Sequence, residues 1–260
     1  MAVSFRPPSF TEPALGIVFD LDGTLVDSQH DFPKLRKTVV RLAEKYGVPP
    51  GRLSITGTVV RNLRDATAIL EQQNLPEGHI FRFEKEVNDS IDAIEMEALP
   101  RTHQAPNAGA VLKALTQQGF RLGLLTRSSD HFARSALLKT ELGPYFPYLR
   151  SRSSPGPVKP SPEALRLLLE TMGIPPDRAV LVGDQLLDCE CAVAARVRFY
   201  GVMLPPKDPL YVDIDRFKAG GATAVARDLT ELASFFGVKV ALPRVQRPPP
   251  AAPTSAHGSH

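Results

Sequence analysis

Two aspartates, Asp20 and Asp22, stand one residue apart after a short apolar run, Gly16-Ile17-Val18-Phe19. A continuous apolar run of this length reads as a strand covered on both faces. Residues two apart on a strand point the same way, so the spacing predicts two carboxylates together at a strand's carboxyl end. Open α/β sheets bind ligands there, where the strand order reverses. Adjacent carboxylates repel, and burying them unpaired is costly. A divalent cation resolves the conflict. Hard oxygen ligands favour Mg²⁺, which also keeps waters and accepts a substrate phosphate. Gly23 then allows a tight turn or close backbone approach. An ordinary Asp-rich turn explains Asp-x-Asp alone. The longer string Asp20-Leu21-Asp22-Gly23-Thr24-Leu25 arises by chance at on the order of one in a million positions, which favours a functional reading.

Further apolar runs predict the strands that would carry a site of this kind: Arg121–Thr126, Ala179–Asp184, Arg198–Met203 and Ala222–Ala226. Helical patterns alternate with them at Asn107–Gln118, Asp130–Thr140, Ser161–Gly173, Leu187–Arg196 and Asp228–Phe236. Ser161 is read as an N-cap before Pro162 at the first helical position. This β-then-α rhythm predicts an α/β fold with a doubly wound, Rossmann-like parallel sheet. From Asp31 to Leu99 the rhythm stops and only helical patterns appear. Leu35, Val39, Leu42 and Tyr46 share one face; Ile80, Phe83, Val87, Ile91 and Ile94 share another. The domain reading is an N-terminal extension at 1–13, an α/β core at 14–29 and 104–242, an inserted α-helical domain at 30–103, and a Pro-rich tail at 243–260 whose composition cannot form a core.

Bulk properties narrow the function classes. The chain has 260 residues and a formal charge of +3, with no concentrated basic stripe, which argues against a nucleic-acid partner. No apolar run approaches the roughly 20 residues of a membrane span, and no secretory h-region is seen, so a cytoplasmic location is expected. Cys189 and Cys191 are too close to bridge each other comfortably and read as small buried helix residues.

Four segments together carry a family resemblance. Phe19 to Ser28 resembles motif one of the haloacid dehalogenase-like hydrolase superfamily, in its phosphoglycolate phosphatase-like branch. Leu124-Leu125-Thr126 resembles motif two, and Val158-Lys159-Pro160-Ser161-Pro162-Glu163 resembles motif three. Val182-Gly183-Asp184-Gln185-Leu186-Leu187-Asp188 resembles motif four. The resemblance implies a Mg²⁺-dependent phosphatase acting on a small phosphorylated metabolite, phosphoglycolate-like or a sugar phosphate, as a monomer or homodimer. Asp20 is implied as nucleophile and Asp22 as acid and base. Mg²⁺ is implied to sit on the Asp20 carboxylate, the Asp22 backbone carbonyl and the Asp184 carboxylate, with Asp188 in support. Thr126 and Lys159 are implied to bind phosphoryl oxygens. The inserted helices resemble a cap that closes over the site.

Two departures stand out. Arg127 follows Thr126 where relatives often carry Asn, and Arg150 and Arg152 precede Lys159 where acidic residues are common. One of these arginines is expected to hold a second anionic group on the substrate. Two rivals share the motifs. A sugar-phosphate mutase would pass the phosphoryl group to a sugar hydroxyl, and a catalytically silent interaction protein would keep only the fold.

Overall fold

The computed structural model describes residues 14–204 and 214–242. The expectations for the N-terminal extension and the Pro-rich tail fall outside these residues. In chain order the elements are β1 (Gly16–Phe19), β2 (Val26–Asp27), α1 (Phe32–Lys45), α2 (Val59–Glu71), α3 (His79–Ala98), β3 (His103–Gln104), α4 (Ala108–Gln117), β4 (Arg121–Leu125), α5 (Asp130–Lys139), β5 (Tyr148–Arg150), α6 (Pro162–Met172), β6 (Ala179–Gly183), α7 (Leu186–Ala195), β7 (Arg198–Val202), α8 (Ile214–Ala219), β8 (Ala224–Ala226) and α9 (Leu229–Phe235).

Six strands form one parallel sheet in the order β5-β4-β1-β6-β7-β8. The chain starts at β1 in the middle, builds outward through β4 and β5, then returns to lay β6 on the other side. The reversal puts a crevice at the carboxyl ends of β1, β4 and β6. Both sheet faces are covered. Ile17 and Phe19 of β1 pack into a cluster with Leu112, Phe132 and Leu229 of α4, α5 and α9. Val18, between them, packs on the opposite face with Leu165, Leu168 and Ala192 of α6 and α7. β6 divides in the same way, Val180 and Val182 to one side and Ala179 and Leu181 to the other. Continuous apolar strands are what this two-sided burial requires.

Helices α1–α3 bury a separate cluster that includes Leu35, Val39, Leu70, Phe83, Val87 and Ile91 and draws no residue from the sheet. Asp31 caps α1 by accepting the Lys34 N–H at 2.8 Å, and Thr58 caps α2 through the Arg61 N–H at 3.1 Å. The chain leaves for these helices through β2 and returns through β3. The two pair antiparallel, Val26 with Gln104 and Asp27 with His103. This ribbon ties the inserted helices to the core directly beside Asp20 and Asp22.

Some local readings change. Strand β8 begins at Ala224 rather than Ala222. β5 was not anticipated, because three partly buried residues at a sheet edge give no apolar run. Ser161 occupies the N-cap of α6, but its side chain makes no capping bond. Cys189 and Cys191 are buried and unbridged on α7, as expected. Burial pushes their thiols up to about 11 and about 12, which makes both poor nucleophiles. Among the described residues no helix is long and apolar enough to cross a membrane.

Candidate active site

The strand ends deliver the candidate residues to one place. Asp20 follows β1, and its N–H donates to the Val182 carbonyl of β6 at 2.9 Å, so the β1–β6 pairing fixes its backbone. Asp184 follows β6 directly. Thr126 follows β4, the other neighbour of β1. Lys159 lies in the connection between β5 and α6, and its side chain is 1% exposed.

Lys159 joins two carboxylates. Its Nζ donates to Asp20 Oδ1 at 2.5 Å and to Asp188 Oδ1 at 2.6 Å. Asp188 also accepts the Gln185 N–H at 3.2 Å through its other oxygen, as half of a capping box at the start of α7. Its position near a helix N-terminus therefore has both a structural and an electrostatic use. Asp184 accepts the Thr24 hydroxyl at 3.1 Å. Two glycines make room. Gly23 has φ +80, and a Cβ there would overlap the Asp184 carboxylate; a Cβ at Gly183 would overlap that of Asp188.

One carboxyl oxygen from each of Asp20, Asp184 and Asp188 lies within 4.8 Å of the other two, and all three residues are buried. Burial pushes the Asp20 carboxyl up to about 7, despite the pull of Lys159, and the negative charge of Asp188 adds to the rise. Burial alone would lower Lys159, but the Asp188 and Asp20 carboxylates outweigh it and hold the ammonium charged. Three acids around one lysine leave a buried excess of negative charge. This oxygen-rich donor set fits a hard divalent cation such as Mg²⁺, with Asp184 and the Asp20 oxygen that Lys159 does not bind as the carboxylates on hand, while both Asp188 oxygens are already taken, by Lys159 and the Gln185 N–H.

Asp22 does not join this group of three acids. The strand stops at Phe19, and the turn through Gly23 redirects the chain, so alternation no longer applies. The Asp22 side chain is 21% exposed, and its carboxylate is not among the three buried acids grouped within 4.8 Å. It accepts hydrogen bonds from the Ser28 N–H at 3.1 Å and from the Ser28 hydroxyl. His30 was missed by sequence reasoning. Its side chain is 4% exposed, its Nε2 lies 3.9 Å from Asp22 Oδ2, and its ring centroid sits 4.7 Å from that of Phe132. Among the described residues neither ring nitrogen has a hydrogen-bond partner. The available signal was a histidine two residues beyond Ser28, where the chain leaves the strand ends.

The three arginines separate. Arg150 donates to the carbonyls of Pro155 and Pro157 and braces that turn. Arg152 crosses to α3, pairing with Glu95 at 2.9 Å and Asp92 at 2.9 Å and donating to Asn88 at 3.0 Å. Of the two, Arg152 has its charge taken up by carboxylates of α3. Arg127 donates to the Lys159 carbonyl and stays within the electrostatic reach of Asp20 and Asp188.

Comparison with known proteins agrees with this layout. A family model described as haloacid dehalogenase-like hydrolase matches residues 15–196, a span that includes all four motifs. The chain belongs to this family. Phosphoglycolate phosphatase of Pseudomonas putida is 28% identical over 194 residues, 72% of this chain and 68% of that protein. Phosphoglycolate phosphatase 1 of Pseudomonas aeruginosa is 30% identical over 192 residues, 70% of this chain and 66% of its own length. The chain thus spans about two thirds of these relatives, which mark it as a member of the phosphoglycolate phosphatase-like branch. The solved structure of a haloacid dehalogenase-like family hydrolase from Streptococcus pneumoniae superimposes with a TM-score of 0.60 at 19% identity, covering 86% of this chain and 98% of that one. At that identity the likeness speaks for the fold alone.

Proposed function

We propose that this family member is a Mg²⁺-dependent phosphatase that hydrolyses a small phosphorylated metabolite through a phosphorylated Asp20. The observation that carries the reading is the buried Asp20 carboxylate, aligned by Lys159 at 2.5 Å and grouped with Asp184 and Asp188 at the reversal of the sheet. A carboxylate so placed is a positioned nucleophile rather than a surface charge. Asp20 attacks phosphorus, and the bond to the ester oxygen breaks as Asp22 gives that oxygen its proton. Asp22 then takes a proton from water as the water attacks the phosphorus of the acyl phosphate. This releases inorganic phosphate and restores both acids.

Asp22 suits the proton-carrying role because it is partly exposed, oriented by Ser28 and separate from Lys159. Thr126 and Lys159 supply hydrogen bonds and charge to the phosphoryl oxygens. The Asp20 and Asp184 carboxylates and the Asp22 carbonyl would hold Mg²⁺, which when bound offsets the repulsion between an anionic nucleophile and an anionic phosphate. Helices α1–α3 would act as a cap that limits the substrate to small molecules. Their insertion between β2 and β3 and the contact of Glu95 with Arg152 support that role.

A panel of small phosphate esters, with Mg²⁺ and with excess EDTA, tests the proposal. The expected result is Mg²⁺-dependent release of free phosphate that EDTA abolishes. Silence across the panel would instead favour a non-catalytic interaction protein. Transfer to a sugar hydroxyl, with bisphosphate accumulating in place of free phosphate, would make the protein a mutase.

A further inference from the structure

A charged side chain beside the nucleophile has no counter-ion of its own. Arg127 follows Thr126 on the loop that leaves the carboxyl end of β4, a strand adjoining β1 in the sheet, and is partly buried. One guanidinium nitrogen donates to the Lys159 carbonyl, so the group lies along the same connection that delivers Lys159 to Asp20. Among the described residues no carboxylate comes within ion-pair distance of it. The acids nearby are already committed. Asp20 and Asp188 are bonded to Lys159, and Glu95 is bonded to Arg152 and to the Ser129 N–H at 3.0 Å. Arg152 adds a charge of the same sign, and burial with that neighbour outweighs the pull of Asp188, Glu95 and Asp20 to hold Arg127 down to about 10. A guanidinium in this position, satisfied by one carbonyl and pressed by a like charge, is poised for an anion. Its planar fork matches a carboxylate or a phosphate.

We infer that Arg127 is a specificity-determining residue that receives a second anionic group of the substrate, a carboxylate or a second phosphate, while Lys159 and Thr126 hold the phosphoryl group being transferred. The inference rests on the phosphatase reading and narrows it. The preferred substrates are compact phosphate monoesters with a second anion, rather than neutral sugar monophosphates. The recognition comes from the core loop, independent of any residue of the helical cap.

The test compares wild type, Arg127→Gln and Arg127→Lys, all with Mg²⁺, on four esters. Two carry a second anion, 2-phosphoglycolate with a carboxylate and glucose 1,6-bisphosphate with a phosphate. Two carry none, glycerol 2-phosphate and p-nitrophenyl phosphate. Loss of a charge-assisted, bidentate contact predicts a rise in KM of roughly 10- to 100-fold on at least one second-anion ester. That rise should exceed the rise on the two esters without a second anion by at least tenfold, with kcat changed much less than KM. Arg127→Lys should recover part of it, and melting curves of the variants check that the fold is kept. The ester that suffers more tells carboxylate from phosphate. An equal loss on all four esters would place Arg127 on the transferred phosphoryl group or in the support of Lys159, and would overturn the inference alone. Kinetics of Arg127→Gln identical to wild type on all four esters would overturn it as well. Wild type that hydrolyses none of the four would overturn the phosphatase reading, and this inference with it.

Discussion

Asp20→Asn is expected to lower Mg²⁺-dependent phosphate release by roughly 10⁴-fold or more, the scale on which enzymes lose activity when a covalent nucleophile is removed. The amide cannot form the acyl phosphate, yet its oxygen can still accept from Lys159, so the fold should survive. The same variant should also be the more stable protein without metal at alkaline pH. Burial raises the Asp20 carboxyl from 3.8 to about 7 in the folded chain. The folded state therefore holds this proton more tightly than the unfolded chain does. Its contribution to stability is present below the ordinary carboxyl pKa and is lost as the pH rises through about 7. In EDTA at pH 8 wild type carries that loss and Asp20→Asn does not. Melting temperatures should differ by several degrees at pH 8, with the variant higher, and converge near pH 4. A variant that is inactive because it is unfolded would show the opposite order.

Lys159→Met is expected to damage both folding and activity. The lysine is buried, and the substitution leaves Asp20 and Asp188 without their shared cation. Removing one partner of a buried ion pair costs about 3–5 kcal/mol. For a chain of this size that corresponds to a fall in melting temperature of roughly 10 °C. Loss of the fixed charge at the phosphoryl group should also reduce kcat by roughly 10²- to 10³-fold. Urea denaturation in EDTA gives the stability term. Adding Asp188→Asn should recover part of it, because the orphaned carboxylate is the cause, and coupling of about 1 kcal/mol or more is expected between residues in contact. A Lys159→Met protein within about 1 kcal/mol of wild type would mean that Lys159 does not balance these acids.

The fold was legible where local pattern and tertiary role coincide. β1, β4, β6 and β7 are covered on both faces, so each reads as a continuous apolar run. The faces of α1 and α3 show helical spacing because they pack on one another. The elements that escaped are too short to have a pattern, such as β5 at the sheet edge and the two-residue strands β2 and β3. The site was legible to the extent that its chemistry lies in unbroken strings. Asp20, Asp184, Asp188 and Lys159 converge as read, although Lys159 and Asp20 are 139 residues apart in sequence. Orientation was not legible. Asp22 is not one of the three grouped acids, and it follows a strand that has already ended at Phe19. His30 is pinned near Asp22 by Phe132, a contact no local spacing records. Arg152 could not be told from Arg127 in the sequence, because its partner Glu95 lies 57 residues away on the inserted helices.

The most direct test of the central claim is a count of phosphoryl groups on the protein itself. Asp22→Asn should slow breakdown of the acyl phosphate by removing the base. With p-nitrophenyl phosphate its formation should proceed, since that leaving group needs little help from an acid. A rapid mix with Mg²⁺ is predicted to give a burst approaching one p-nitrophenolate per chain, followed by slow turnover. Acid-quenched protein should carry an acyl phosphate, labile to hydroxylamine, on the peptide that contains Asp20. A linear time course with no burst, phosphate release equal to wild type and no protein-bound phosphate would contradict a phosphorylated Asp20.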